Sequence, residues 1–258
     1  MTRRGIFFLM LTFLLPVAAF AQTVGPLNLN FGEDMLSSQR IFQLLVLLTV
    51  LSVAPSLLLM VTSFTRIIIV FSFLRSALGL QTSPPNAVMV ALALFLTSFI
   101  MAPVLQSSYS NGVEPYLNGR LTEQLAFERA TTPFRNFMLA NVNEADLDLF
   151  INLLPEADQK QVKLPGPGVE KDAVSVPLQA LMPAFMISEL KRAFEIGFLI
   201  FLPFLIIDLT VASILMSMGM MMLPPVTIAL PFKIIFFVLV DGWHLLAGTL
   251  VQSFNQVH

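Results

Sequence analysis

The sequence contains no cysteine. Disulfide frameworks and thiolate metal sites are therefore excluded. Its 258 residues hold only two histidines, His244 and His258, too few for a histidine-based metal centre. Charge is scarce as well. Asp, Glu, Lys and Arg make up 12% of the chain, against about 25% in a soluble domain. Net charge at pH 7 is −2, which gives no electrostatic footprint for nucleic acid. The apolar segments hold no HExxH, Ser/His or paired-Asp arrangement. No enzyme activity and no cofactor are expected.

What the chain has is apolar surface. Hydrophobic residues make up 56% of it, and the mean hydropathy is strongly positive. The expected fold class is all-α, with membrane-associated, kinked helical hairpins and a helical periplasmic insertion between them. Residues 1–21 read as a secretory signal. Arg3 and Arg4 start it, Gly5–Leu15 forms its apolar core, and Ala19-Phe-Ala21 precedes a cleavage point at Gln22. The competing reading, a retained first membrane helix, asks a short segment to do what takes ~20 apolar residues.

Residues 22–40 form a polar lead. Residues 41–106 form a first apolar hairpin, with Pro55 inside it and Thr82-Ser-Pro-Pro85 as punctuation. Arg66 and Arg75 are the only charges between Arg40 and Glu114, and the positive-inside rule puts their connection on the cytoplasmic side. Pro55–Gly79 also reads as one long helix, which leaves the number of spans open. Residues 107–176 are more polar. Pro115–Ala130 and Pro133–Ala140 read as amphipathic helices with Phe127, Phe134 and Phe137 inward, and Asn143 reads as a helix cap.

The organising segment is 177–258, a helical hairpin. Glu189, Lys191, Arg192 and Glu195 form a charged collar on its first arm, at spacings that allow pairing along one helix. They are expected to make subunit contacts too. Between Asp208 and Lys233 lie 24 residues without a charge. Gly219 and Pro224-Pro225 mark the turn, and its tip holds Met216, Met218, Met220, Met221 and Met222. Loops usually end in polar residues. Methionine is flexible and polarizable, so this tip suits a place that closes without rigid sealing. A turn centred between Met220 and Met221 puts Lys233 opposite Asp208. Charges in apolar surroundings are paired or turned inward, so the two are expected to pair, within one chain or between neighbours.

Several stretches taken together resemble the FliP family of flagellar biosynthetic proteins: Leu181–Phe198, Phe204–Leu209, Met220-Met-Met-Leu-Pro-Pro225, Leu230–Lys233 and Leu239–Trp243. The resemblance implies a pore-forming core subunit of the type III protein export gate. Several copies, a pentamer by that likeness, would assemble with FliQ- and FliR-type subunits into a helical, ring-like oligomer in the flagellar basal body at the bacterial inner membrane. The family's methionine gasket would fall on Met220, Met221 and Met222, and unfolded flagellar substrates would be the cargo. The likeness also implies that assembled subunits are held largely above the bilayer plane by their neighbours. The competing reading is a small-solute or ion transporter using Asp208 and Lys233, against which stands the lack of an apparent inverted repeat.

Overall fold

The computed structural model describes residues 38–159, 162, 176–220 and 222–255. The proposed signal, with Ala21 and Gln22, lies outside the described residues, and so does Met221. The described residues are helical, with no strand among them. Contacts divide the chain into two units, 1–58 and 59–258. The first carries most of helix α1 (Ser38–Met60), which keeps Pro55 inside it and exposes Phe42, Leu45 and Leu48.

Helix α1 ends at Met60 and a turn at residues 61–63 follows, so Pro55–Gly79 is not one helix. Helix α2 (Phe64–Ala77) follows. It buries Ile67, Val70, Phe71, Leu74 and Ala77, which recur every three or four residues and make one apolar face. Helix α3 (Asn86–Ser108) runs into a π-helical turn (Tyr109–Val113) and a short α4 (Glu114–Leu117). Gly119, at φ 68°, ends that run. Helix α5 (Glu123–Asn141) then continues straight through Pro133, where the sequence suggested two helices. Thr131 and Thr132 hydroxyls donate to the carbonyls of Phe127 and Glu128 just ahead of the proline.

Helix α6 (Glu144–Asn152) starts at Asn143, whose side chain accepts from the Ala145 N–H at 2.9 Å. That is the N-cap bond. The short α7 is Glu156–Gln159. Helix α8 (Leu178–Ser217) has 40 residues and contains both Pro183 and Pro203. At ~1.5 Å per residue it is about 60 Å long. Helices α9 (Pro225–Leu239) and α10 (Gly242–Asn255) complete the chain. They meet at a 62° bend, where the sequence suggested one continuous arm. Asp241 stands at φ 51° in the bend, a left-handed conformation that ends a helix.

Two cores hold this unit together. One gathers the buried face of α2 with Ala193 and Phe204 of α8, Phe237 of α9 and Leu246 and Leu250 of α10. The other joins Met138 of α5, Leu147 and Ile151 of α6 and the start of α8 around Leu181 and Phe185. Phe137 packs on Phe185 and Phe254. Phe127 does not join it. It is 63% exposed, while Ala126 beside it and Met138 are buried. Asn86–Leu117 and α8 are each long and apolar enough to cross a membrane, and the bent pair α9–α10 is a third candidate.

Candidate functional site

Helix α8 is closed by main-chain bonds, with the Ser217 hydroxyl donating to the Ile214 carbonyl at 2.8 Å. Gly219 N–H donates to the Met216 carbonyl and Met220 N–H to that of Leu215, at 3.1 and 3.0 Å. Gly219 sits at φ 72°. Together these make a Schellman closure, which uses up carbonyls the helix end would otherwise leave bare and asks for glycine at the left-handed position. The chain then turns through Pro224 into α9, with Pro225 as its first residue, a position where a missing N–H costs nothing. The tip's side chains are free of this task. Met216, Met218 and Met220 are exposed, and Met222 is 98% exposed. Leu223 and Val226 beside them are exposed too. The described tip is thus a sulfur-rich apolar knob on a self-sufficient backbone turn.

Below the tip, Lys233 and Asp208 meet within one chain. Lys233 Nζ donates to Asp208 Oδ2 at 2.6 Å and to the Ala77 carbonyl at 3.0 Å. Lys233 is buried. Helix α2 ends at Gly79 in the same main-chain pattern as α8, with Leu80 N–H on Arg75 and Gly79 N–H on Ser76. The Ala77 carbonyl is left over, and the ammonium takes it. Lys233 therefore joins α9 to both α2 and α8. Among the described residues, Asp208 Oδ1 has no hydrogen-bond partner.

A second ion pair is missing from the sequence reading. Arg66 of α2 and Glu189 of α8 are both fully buried. Arg66 Nε donates to Glu189 Oε2 at 2.8 Å, and Nη2 donates to Oε1. Nη1 donates to the Ser253 hydroxyl at 2.9 Å, and the guanidinium lies 3.6 Å from the centre of the Phe254 ring. A planar fork on a carboxylate, with an aromatic face beneath, is a geometry that arginine fits and lysine does not. Burial lowers the Arg66 pKa from its ordinary value, and the bonds to Glu189 oppose that shift.

The collar is thereby divided. Glu189 faces Arg66 inside its own chain and is closed to a partner in this conformation. The pairing along α8 suggested by sequence does not form: among the described residues, Lys191, Arg192 and Glu195 make no ion pair. Arg66 also leaves the orientation argument, because the positive-inside rule counts charges in loops, not a guanidinium locked in a core. One residue before Glu189, the Ser188 hydroxyl accepts from the Asn143 N–H and donates to Asp146 Oδ2, at 2.9 and 2.8 Å. Ser188 and Glu189 thus fasten α6 and α2 to neighbouring positions on α8. Long-range partners such as Glu189 for Arg66, 123 positions apart, leave one sequence signal: a lone cation in an apolar run must have an acid somewhere.

The comparison with known proteins decides the family. The FliP family profile matches residues 47–250. The chain belongs to the FliP family. It is 53% identical to the flagellar biosynthetic protein FliP of Caulobacter vibrioides over 243 residues, covering 94% of this chain and 86% of that protein. It is 50% identical to the FliP of Rhizobium meliloti over 248 residues, 94% of this chain and 98% of that one. The FliP of Bacillus subtilis is 49% identical over 228 residues, 88% and 98% of the two chains. The FliP profile thus takes in the methionine tip, both ion pairs except the Ser253–Phe254 end of the Arg66 site, and the bend between α9 and α10.

Proposed function

We propose that this chain is a pore-forming core subunit of the flagellar type III protein export gate, part of the flagellar export apparatus. Several copies would surround a passage for unfolded flagellar proteins, with FliQ- and FliR-type subunits as further partners, at the inner membrane. The observation that carries the reading is the tip: every described methionine in it is exposed, and none is needed to close the turn. Apolar side chains left in water at a helix end call for neighbours. Methionines from several copies, meeting around an opening, make a narrow apolar constriction that excludes ions by dewetting. Their three rotatable bonds let them re-pack around a moving chain.

The Asp208–Lys233 pair serves the frame of this gate and not a transported ion. Lys233 is held by two acceptors on two other helices, and moving it would uncouple them. The test is an ion-leak measurement on cells or vesicles carrying the assembled complex, with Met216, Met218, Met220 and Met222 replaced by alanine. Raised leak with normal assembly is the expected result. Unchanged conductance would remove the gasket role.

A further inference from the structure

A polar cavity of about 520 Å³ opens beside the collar, with Arg66 and Ser188 in its wall and Lys191, Arg192 and Glu195 around it. Arg66 is satisfied by Glu189 and Ser253. The other three charges are not. Among the described residues none of them has an ion pair or a side-chain hydrogen bond. Two cations and one carboxylate therefore stand unmatched at one opening, with a surplus of one positive charge.

Lys191 belongs to a second feature as well. Ile187, Lys191, Phe194 and Phe198 follow one another at steps of four, three and four, so they share one stripe of α8. All four are exposed. The stripe is apolar except for one ammonium, with an apolar neighbour one turn before it and another one turn after. A helix laid on this stripe to cover Phe194 and Phe198 takes Lys191 out of water. A desolvated ammonium is tolerated only when it is paired, and among the described residues Lys191 has no ion pair, Glu195 one turn on included. The covering surface must bring the acid.

We propose that this stripe receives a helix of a neighbouring protein subunit that is apolar except for one carboxylate, and that the carboxylate enters the cavity mouth between Lys191 and Arg192. A carboxylate fits the charge count, because a single negative charge cancels the surplus. Glu195 at the same mouth weighs against a phosphate, whose charge spreads over several oxygens and would meet that carboxylate. The inference rests on the reading that this chain assembles with partners, and it does not depend on the tip being a seal.

The test uses the full chain with its native partners and reads assembly, not export, so that a failed gasket leaves it intact. K191M and K191E are compared for chain level in the membrane and for recovery of the assembled complex by mass. The expected result is normal chain level for both, a partial loss of recovery for K191M, where the partner's acid keeps only Arg192 beside it, and at least tenfold lower recovery for K191E than for K191M, where acid meets acid. A photo-cross-linking residue at Phe194 is then expected to capture a peptide of a neighbouring subunit that holds Asp or Glu within one helical turn of the cross-link. Changing that acid to lysine is expected to restore recovery in the K191E background. If K191E lowers chain level as well, the rescue by the partner's lysine decides. Full recovery of K191E, failure of the rescue, capture of phospholipid alone, or a captured helix without an acid each overturns the proposal.

Discussion

Gly197 of α8 lies against the ring of Phe73 of α2, so close that a Cβ added at Gly197 would stand 2.5 Å from the ring edge. The same ring meets Phe194 edge-on, with centroids 5.0 Å apart. The backbone of α8 therefore approaches α2 at a distance only glycine allows. G197A must displace the Phe73 ring or push the helices apart. Overpacking of this kind costs about 1–3 kcal/mol. The expected outcome is a lower melting temperature of the purified chain. F73A in the G197A background should recover part of the clash while losing the ring's own packing.

The Arg66–Glu189 pair predicts a strongly non-additive cycle. R66M leaves a buried carboxylate alone, and E189M leaves a buried guanidinium alone. Removing one partner of a buried pair costs about 3–5 kcal/mol, whereas replacing both by apolar residues is often neutral. R66M/E189M is therefore expected to be more stable than either single variant. Denaturant midpoints of the four proteins in one detergent check this. Equal losses in the double and the singles would mean that the Ser253 and Phe254 contacts, and not the carboxylate, hold Arg66.

Lys233 is expected to matter more than its acidic partner. K233M leaves both Asp208 Oδ2 and the Ala77 carbonyl without their donor, while D208N keeps an acceptor for the ammonium. A buried polar group left unsatisfied costs about 1–3 kcal/mol, more when it is charged. The order wild type, D208N, K233M in falling stability is the expected outcome. Hydrogen exchange at the end of α2 should rise in K233M alone.

Substitutions at the tip divide by backbone role. M222A touches a side chain that packs on nothing described, so the melting temperature should not move. G219A forces alanine into a left-handed conformation, at a cost of roughly 1 kcal/mol. Melting curves of the two variants, run in parallel, separate a residue kept for its surface from one kept for its fold.

Much of this architecture is legible in the chain. The spacing of Ile67, Val70, Phe71 and Leu74 is that of a one-faced helix. Gly219 with Pro224-Pro225 marks the turn, and equal distances from it pair Asp208 with Lys233. The rest is hidden for physical reasons. Pro133 reads as the start of a second helix, yet α5 runs through it. The bend at Asp241 has no glycine or proline at its left-handed position to announce it. Glu189 looks like one member of a surface collar, because i, i+3 neighbours are visible in sequence and an arginine 123 positions away is not. Phe127 looks like core by composition and is exposed.

The Schellman closure of α8 has a wider consequence. Since no described methionine side chain is used to close the helix, these side chains are replaceable fittings on a fixed mount. The tip's bulk, greasiness and stickiness can drift, or be re-engineered, residue by residue, without the scaffold underneath having to be redesigned.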